Sequence, residues 1–304
     1  MNGPVPERDG ARFYGPGALE NVMAPRTTIA RPVTATGTAL HAGVAVTMTL
    51  SPAPPGAGVI FSRTDTATAV PARWDLVGET RLGTVIELDG AAIGVVEHLM
   101  AAVAGAEIDD LFVALDGPEP PILDGDSLSY LALLEQAGRR EQAMPRRFLK
   151  VLRPVTAGDA KAHASLLPAE ALSYHFEISF PSAAIGTQRF ALDFSRDAFT
   201  AQIAPARTFG FVKELDYLKS IDRGHGASLD NTLAIDGDTV LNREKMRFDD
   251  EFVRHKILDA IGDMALAGAP LIARFEGVRS GHGINNALLR ALYADPANYT
   301  WQEP

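Results

Sequence analysis

The first half of the chain alternates short runs of apolar and β-branched residues with turn residues. Such runs predict strands where glycine, proline or aspartate separates them, as Asp89-Gly90 does here. The predicted strands cover residues 28–34, 44–50, 58–61, 83–88, 92–96 and 111–115. Apolar positions at helical spacing then predict helices over residues 97–104 and 127–136.

A similar order of elements returns in the second half. Residues 138–147, rich in arginine, glutamate and glutamine, are typical of a linker. Strands are predicted beyond it over residues 150–154, 162–167, 173–180, 188–192 and 270–276, and helices over residues 196–201, 212–220, 250–267 and 284–293. No residue-level repeat accompanies this order, so an internal duplication is a hypothesis only.

These elements predict an α+β fold in two domains. Strands and helices do not alternate strictly, which disfavours a doubly wound parallel sheet. A chain of 304 residues is long enough to bury two hydrophobic cores. We expect domains over residues 26–140 and 148–304, after a disordered extension of residues 1–25 that contains Gly-Pro pairs.

Composition narrows the function further. The formal net charge of -10 has the wrong sign for binding nucleic acid. No apolar run approaches the ~20 residues of a membrane-spanning helix, and the amino terminus lacks a secretory pattern, so we expect a cytoplasmic protein. Because the chain has no cysteine, any metal must bind to histidine, aspartate or glutamate.

Glu97 and His98 form the first candidate site. They follow an apolar strand at the point where a helix begins, a position from which side chains commonly project into a site. The carboxylate could act as a base and the imidazole as a ligand. The alternative is an ordinary first helical turn, in which Glu97 complements the helix dipole and His98 packs.

The second candidate is a polar stripe on the helix predicted at residues 250–267. His255, Asp259 and Asp263 are four residues apart and therefore share one helix face. A histidine and an aspartate one turn apart can hold a divalent ion. The alternative is a solvated polar face, which most charged stripes are.

The two candidates together supply the ligands of a catalytic zinc. Two imidazoles and one carboxylate, from His98, His255 and Asp259, would leave the fourth position for water. Iron(II) suits the same ligands. Near the end of the chain, His282 lies between glycines before a helix, either as an exposed turn residue or as a general acid.

Five motifs recur in order over roughly residues 27–295, and they are similar to those of a known family. The motifs are Val96-Glu97-His98-Leu99, Asp124-Gly125, Ala206-Arg207-Thr208-Phe209-Gly210-Phe211, the stretch from His255 to Asp263, and Ser280-Gly281-His282. With this order and spacing the chain closely resembles the bacterial UDP-3-O-acyl-N-acetylglucosamine deacetylases. Residues 38–43, which include His41, also resemble the family and suggest a contact with substrate.

The resemblance implies a zinc-dependent deacetylase that frees the 2-amino group of an acylated UDP-sugar, the committed step of lipid A synthesis. It implies a layered sandwich in which two α+β domains, each a sheet packed with helices, face each other across the active site. His98, His255 and Asp259 would bind zinc. Glu97 would take a proton from the zinc-bound water, and His282 would protonate the leaving nitrogen.

The resemblance also implies roles for neighbouring residues. Asp263 would favour the imidazolium form of His282, and the hydroxyl of Thr208 would help zinc to stabilise the oxyanion. Residues 211–235 match an inserted βαβ unit that forms a passage for the acyl chain, although a core role of its apolar residues is equally good. The expected substrate contacts are Lys256, Arg279 and Lys161 to the sugar or pyrophosphate, Phe180 to uracil, and Phe209, Phe211, Leu215 and Leu218 along the passage.

Three other functions compete with this one. A metal-free hydrolase built on Ser280 and His282 is disfavoured because neighbouring loop residues do not make a triad. A nucleotide-binding module lacks the lysine and the glycine fingerprint of such sites. A catalytically inactive relative is disfavoured by the complete set of ligands and acid-base groups. We expect a monomer.

Overall fold

The computed structural model describes residues 24–303. The extension expected at residues 1–25 lies, apart from its last two residues, outside the described residues. Among the helices of this described part, none combines the length and the apolar character that crossing a membrane needs.

Strands and two helices make up the first half of the chain, around one main sheet. In chain order they are β1 (Pro25–Ile29), β2 (Val33–Thr38), β3 (Ala45–Pro52), β4 (Val59–Arg63), β5 (Thr68–Pro71), β6 (Ile86–Leu88), β7 (Ala91–Ile93), α1 (Glu97–Gly105), β8 (Leu111–Leu115), α2 (Leu128–Ala137) and β9 (Arg139–Pro145). The main sheet has the order β2-β3-β8-β4-β5, in which only β4 and β8 run parallel. In β8, Leu111, Val113 and Leu115 are fully buried while Phe112 between them is exposed, so alternate residues meet the core.

The second half repeats this arrangement with its own sheet. Its elements are β10 (Phe148–Val151), β11 (Val155–Gly158), β12 (His163–Leu167), β13 (Ser173–Ser179), β14 (Thr187–Asp193), α3 (Arg196–Gln202), β15 (Phe209–Phe211), α4 (Leu215–Ser220), β16 (Leu233–Asp236), β17 (Thr239–Val240), α5 (Glu251–Ala265), β18 (Leu271–Ile272), β19 (Arg274–Val278), α6 (His282–Ala294) and β20 (Tyr299–Gln302). The sheet order is β11-β12-β19-β13-β14, and only β13 and β19 run parallel.

The two sheets therefore share one topology. Each central strand, β8 or β19, pairs on one side with an antiparallel strand and on the other side with a parallel strand. Beyond each of these neighbours lies an edge strand that is antiparallel to it. This correspondence supports the duplication hypothesised from the order of elements, and it confirms the α+β class. The domain limits of 26–140 and 148–304 stay a prediction.

The stretch expected to be a linker is a strand instead. β9 covers most of residues 138–147 and pairs antiparallel with β1. Nearly all of its side chains are exposed, so its sequence lacks the alternation that would have indicated a strand. The strand predicted at residues 28–34 is divided between β1 and β2, and the one predicted at residues 270–276 is divided between β18 and β19.

Helices α1 and α5 bring the two halves together. They pack against each other, while α2 packs on β2 and both α5 and α6 pack on the second sheet. The contact is closest at Gly262 of α5, where an added Cβ atom would lie 2.0 Å from the carbonyl oxygen of Glu97 in α1. Only glycine allows the two helix backbones to approach this closely.

An inserted unit interrupts the second half between β15 and β17. β15 and β16 are parallel neighbours, with α4 between them in the chain. This is the βαβ connection expected for residues 211–235, and β17 extends it by an antiparallel strand.

The approach at Gly262 can be tested by adding one methyl group. We expect Gly262→Ala to lower the free energy of unfolding by about 3 kcal/mol or more, because the new atom meets backbone and the helices must separate. Urea unfolding followed by circular dichroism measures the change. Gly210→Ala is the matched control, since nothing lies within 4 Å of its added Cβ, and equal stability of the two variants would contradict the prediction.

Candidate active site

The site begins at the first residues of α1. Glu97 and His98 are each 3% exposed. Val95, just before them, has a φ of 54°, a left-handed conformation that is unfavourable for a β-branched residue. This turn redirects the chain from β7 into α1, so that the two polar side chains are buried instead of continuing the strand.

A second buried stripe lies opposite, on α5. His255, Asp259 and Asp263 are 2%, 4% and 2% exposed, so the alternative of a solvated helix face is wrong. His98 Nε2 lies 3.6 Å from Asp259 Oδ1, and His255 Nε2 lies 3.3 Å from the same oxygen. The fold thus joins the two candidate clusters that the sequence places far apart.

These three side chains fit a divalent metal ion. One donor atom from each lies within 4.8 Å of the other two. Ligand atoms at zinc bond lengths around a tetrahedral ion are about 3.3 Å apart, and the two distances to Asp259 Oδ1 are close to that value. This oxygen is also buried with no hydrogen-bond partner among the described residues. An unpartnered buried carboxylate oxygen is costly, and a cation would satisfy it.

Neighbouring groups orient the candidate ligands. His255 Nδ1 lies 3.1 Å from the carbonyl oxygen of Ala206, which can only accept, so Nδ1 carries the hydrogen and Nε2 keeps its lone pair. Burial lowers the pKa of His255 to about 3, which keeps the imidazole neutral as a metal ligand requires. Lys256 donates from Nζ to Asp259 Oδ2 at 2.7 Å. Burial opposes ionisation of Asp259, but neighbouring groups that include the Lys256 ammonium outweigh it and hold the pKa of this carboxyl well below its ordinary value.

Two groups suited to proton transfer lie beside the ligands. His282, the first residue of α6, places Nε2 3.7 Å from Glu97 Oε1 and Nδ1 2.9 Å from Asp263 Oδ2. Burial lowers the pKa of His282, but Asp263 and Glu97 outweigh it and raise this pKa to about 9. Burial raises the pKa of Glu97, and the charge of His282 opposes that effect. The pair can therefore combine a protonated imidazole with a carboxylate able to accept a proton.

Ser280 is not arranged as a nucleophile. Its hydroxyl donates to Asn285 Oδ1 at 3.0 Å, and the Nδ1 atom of His282 is held by Asp263. This geometry differs from the serine and histidine pair that a metal-free hydrolase requires.

Thr208 lies next to the site because residues close to it in the chain contact His255. It stands between Ala206, whose carbonyl binds His255, and Phe209, whose ring centroid is 6.2 Å from that of His255. Thr208 is half-buried, and its backbone is bonded to Gly125 and Leu233.

An aromatic cluster adjoins His255. The ring centroid of Phe180 lies 5.7 Å from those of both Phe209 and Phe211. All three rings are half-buried, so part of each is accessible. The sequence assigned Phe180 to uracil and the other two to the acyl passage, whereas the structure brings all three to one place.

The apolar residues of α4 lie on the insert beyond these aromatic rings. Leu215 is 38% exposed and Leu218 is half-buried. Their spacing of three residues places them on one side of the helix. An exposed leucine is not a core residue, which favours the passage over the core alternative for Leu215.

Lys161 and Arg279 lie at one end of the second sheet. Lys161 is exposed in the turn between β11 and β12, and Arg279 is exposed just after β19. His163 pairs with Val278 across these strands, so the two basic residues are close in the fold. Arg279 is three residues before His282 in the chain.

His41 is hydrogen-bonded to other residues in the first half of the chain. Its Nε2 atom lies 2.9 Å from the carbonyl oxygen of Leu82, and its backbone N–H donates to Glu119 Oε2 at 2.8 Å. Leu82 precedes Gly83, where an added Cβ would lie 2.9 Å from Glu97 Oε1. His41 therefore supports the loop that borders Glu97.

Sequence reasoning missed two polar residues of the site. Thr84 donates its hydroxyl to Asp263 Oδ1 at 2.5 Å, and Asn285 donates Nδ2 to Asp263 Oδ2 at 2.8 Å. Asn285 lies one helical turn after His282, a spacing that could have indicated it. Thr84 lies in a loop, and no local pattern distinguishes it.

Comparison with known proteins identifies the family of the chain. The family model for UDP-3-O-acyl N-acetylglycosamine deacetylase matches residues 26–294. Proteins named UDP-3-O-acyl-N-acetylglucosamine deacetylase are similar to the chain in Phenylobacterium zucineum (44% identity, covering 88% of this chain and 93% of the relative) and in Myxococcus xanthus (44%, covering 90% and 87%). The relative of that name in Nautilia profundicola is 42% identical over 89% of this chain and 92% of its own length. The chain therefore belongs to the UDP-3-O-acyl N-acetylglycosamine deacetylase family.

Proposed function

We propose that the protein is a zinc-dependent deacetylase that hydrolyses the 2-acetamido group of UDP-3-O-(3-hydroxyacyl)-N-acetylglucosamine to the free amine and acetate. The observation that carries the proposal is that the buried side chains of His98, His255 and Asp259 lie close enough to bind one ion. Glu97 and His282, the proposed base and acid, lie beside them. The names of the relatives supply the substrate class. Such a reaction would be the committed step of lipid A synthesis.

His98, His255 and Asp259 would hold the ion. Their donor atoms have the types and the spacing that suit zinc, and iron(II) suits the same set. When bound there, the ion supplies a Lewis acid that polarises the amide carbonyl and makes water more acidic.

Glu97 and His282 would move the protons. Burial raises the pKa of Glu97, and this carboxylate would take a proton from the attacking water. His282 keeps its proton at neutral pH because Asp263 and Glu97 outweigh its burial, and it would deliver that proton to the leaving nitrogen. An amine leaves poorly unless it is protonated, so both groups are needed together.

Residues around this centre would stabilise and orient the substrate. Thr208 would donate its hydroxyl to the developing oxyanion, and Lys256, which bonds to Asp259, would contact the sugar or pyrophosphate. The other proposed contacts are Lys161 and Arg279 to the sugar or pyrophosphate, Phe180 to uracil, His41 to the substrate near Glu97, and Phe209, Phe211, Leu215 and Leu218 to the acyl chain.

The cytoplasmic location and the monomeric state expected from the sequence stay predictions.

Metal removal tests the first part of the proposal. Chelation should abolish acetate release from the acylated UDP-sugar, and added zinc should restore it, because the bound ion would supply the Lewis acid that polarises the amide carbonyl. His98→Ala should lose bound metal, measured by plasma mass spectrometry, whereas His175→Ala on the exposed side of β13 should keep it. Full activity after complete metal removal would end the zinc proposal.

Substitution of the acid and base groups tests the second part. We expect Glu97→Gln and His282→Ala each to lower turnover by about 100-fold or more while the metal content stays unchanged, because these groups act on the barrier. Glu141→Gln, on the exposed strand β9, is the control and should keep wild-type turnover. Retained turnover in either site variant would remove that residue from its assigned role.

A wider side chain on α4 tests the acyl passage. We expect Leu218→Trp to lower kcat/KM for a long-chain substrate by about tenfold relative to a short-chain one, since a few blocked methylene groups account for such a ratio. Leu152→Trp, an exposed leucine outside the insert, should leave the ratio unchanged. An equal loss for both substrates would place Leu218 outside the passage.

A further inference from the structure

Thr84 lies where the two halves of the site meet. It is 1% exposed and belongs to the loop before β6. Its backbone N–H donates to Glu97 Oε2 at 2.9 Å, and its carbonyl oxygen accepts from the N–H of Val96 at 3.2 Å. Main-chain bonds thus fix this residue against the start of α1.

The side chain of Thr84 reaches across to α5. Its hydroxyl donates to Asp263 Oδ1 at 2.5 Å. The other oxygen of this carboxylate, Oδ2, accepts from His282 Nδ1 at 2.9 Å and from Asn285 Nδ2 at 2.8 Å. Asp263 therefore has three donors, which leave it little freedom to rotate, and only Thr84 comes from the first half.

We propose that Thr84 is a positioning residue that couples the base to the acid. Its N–H fixes the carboxylate of Glu97, and its hydroxyl fixes Asp263, which in turn orients the ring of His282. This inference rests on the proposed function, in which Glu97 and His282 exchange protons with one substrate. Because such transfer depends on position to within a fraction of an ångström, one residue bonded to both sides keeps the two groups at a constant separation.

The neighbouring glycine supports the same arrangement. Gly83 has a φ of 150°, and an added Cβ would lie 2.9 Å from Glu97 Oε1. The loop therefore leaves Oε1 of Glu97 free on the side that faces His282, while Thr84 binds Oε2. Thr84 thus holds one carboxylate oxygen of Glu97 in place, and the other oxygen is left to exchange protons in the proposed reaction.

Valine and serine substitutions separate the hydroxyl from the volume of Thr84. Thr84→Val keeps the shape and the main-chain bonds but removes the donor to Asp263, whereas Thr84→Ser keeps the donor. We expect Thr84→Val to lower kcat by about tenfold or more, because the ring of His282 would lose the contact that fixes its orientation for proton transfer, with KM and metal content unchanged. Thr84→Ser should restore most of the loss.

The matched control is Thr28→Val. Thr28 is also fully buried, and its hydroxyl accepts from the N–H of Ala53 at 3.1 Å, away from the site. This variant should lose thermal stability without a change in kcat. A fall in kcat of the same size in Thr28→Val would show that Thr84 contributes stability alone.

A double variant tests the route through His282. If the hydroxyl acts by orienting His282, Thr84→Val should cause no further loss of kcat in the His282→Ala background. A full, multiplicative loss in that background would overturn the proposal, as would wild-type kcat in Thr84→Val.

An NMR measurement keeps the test independent of activity. In protein labelled with ¹⁵N-histidine, the imidazole signal of His282 is assigned by its disappearance in His282→Ala. We expect Thr84→Val to shift this signal and Thr28→Val to leave it in place. An unshifted signal overturns the positioning role even if the wild-type enzyme is active. If the wild-type protein releases no acetate, the proposed function is overturned, and the NMR result still decides the role of Thr84.

Discussion

The close contact of α1 with α5 is the constraint on which the site depends. At Gly262 the backbone of α5 approaches Glu97 so closely that an added Cβ would lie 2.0 Å from its carbonyl oxygen. This approach sets the residues up to two turns before Gly262, and Asp263 directly after it, against the start of α1. His255 and Asp259 consequently meet His98, and Asp263 meets the loop that carries Thr84. A larger side chain at position 262 would move the two helices apart, and with them the atoms of His98, His255 and Asp259 that would have to bind one ion.

Burial then determines the chemistry of the groups that this contact collects. Glu97, Asp259 and Asp263 are all less than 5% exposed, and buried carboxylates are costly without compensation. Within the described residues, Lys256 bonds to Asp259, and His282 bonds to Asp263 and faces Glu97. His255 is neutral because burial lowers its pKa to about 3, so it adds no positive charge. Two cations thus face three carboxylates, which leaves one negative charge to attract a cation to the three proposed ligands.

The two halves contribute different parts to the site although their sheets have one topology. The helix before the central strand carries Glu97 and His98 in the first half, and His255, Asp259 and Asp263 in the second. The helix after the central strand carries His282 in the second half, whereas α2 of the first half packs on β2. One pattern of strands and helices therefore supplies the proposed base and one proposed ligand from one side, and the remaining proposed ligands and the proposed acid from the other.

The sequence by itself predicted the helices, most strands and the α+β class, and it singled out the residues of the proposed ligand and acid-base set. Helical spacing showed that His255, Asp259 and Asp263 share a face, because that relation is local. The sequence alone could not distinguish a solvated stripe from a buried one, and it misread residues 138–147, because an exposed edge strand carries no alternation. Only the tertiary structure decided that α1 meets α5, that Thr84 bonds to both Glu97 and Asp263, and that Phe180 joins Phe209 and Phe211. Such contacts join residues far apart in the chain, and their geometry depends on how closely helix backbones can approach, which no local pattern records.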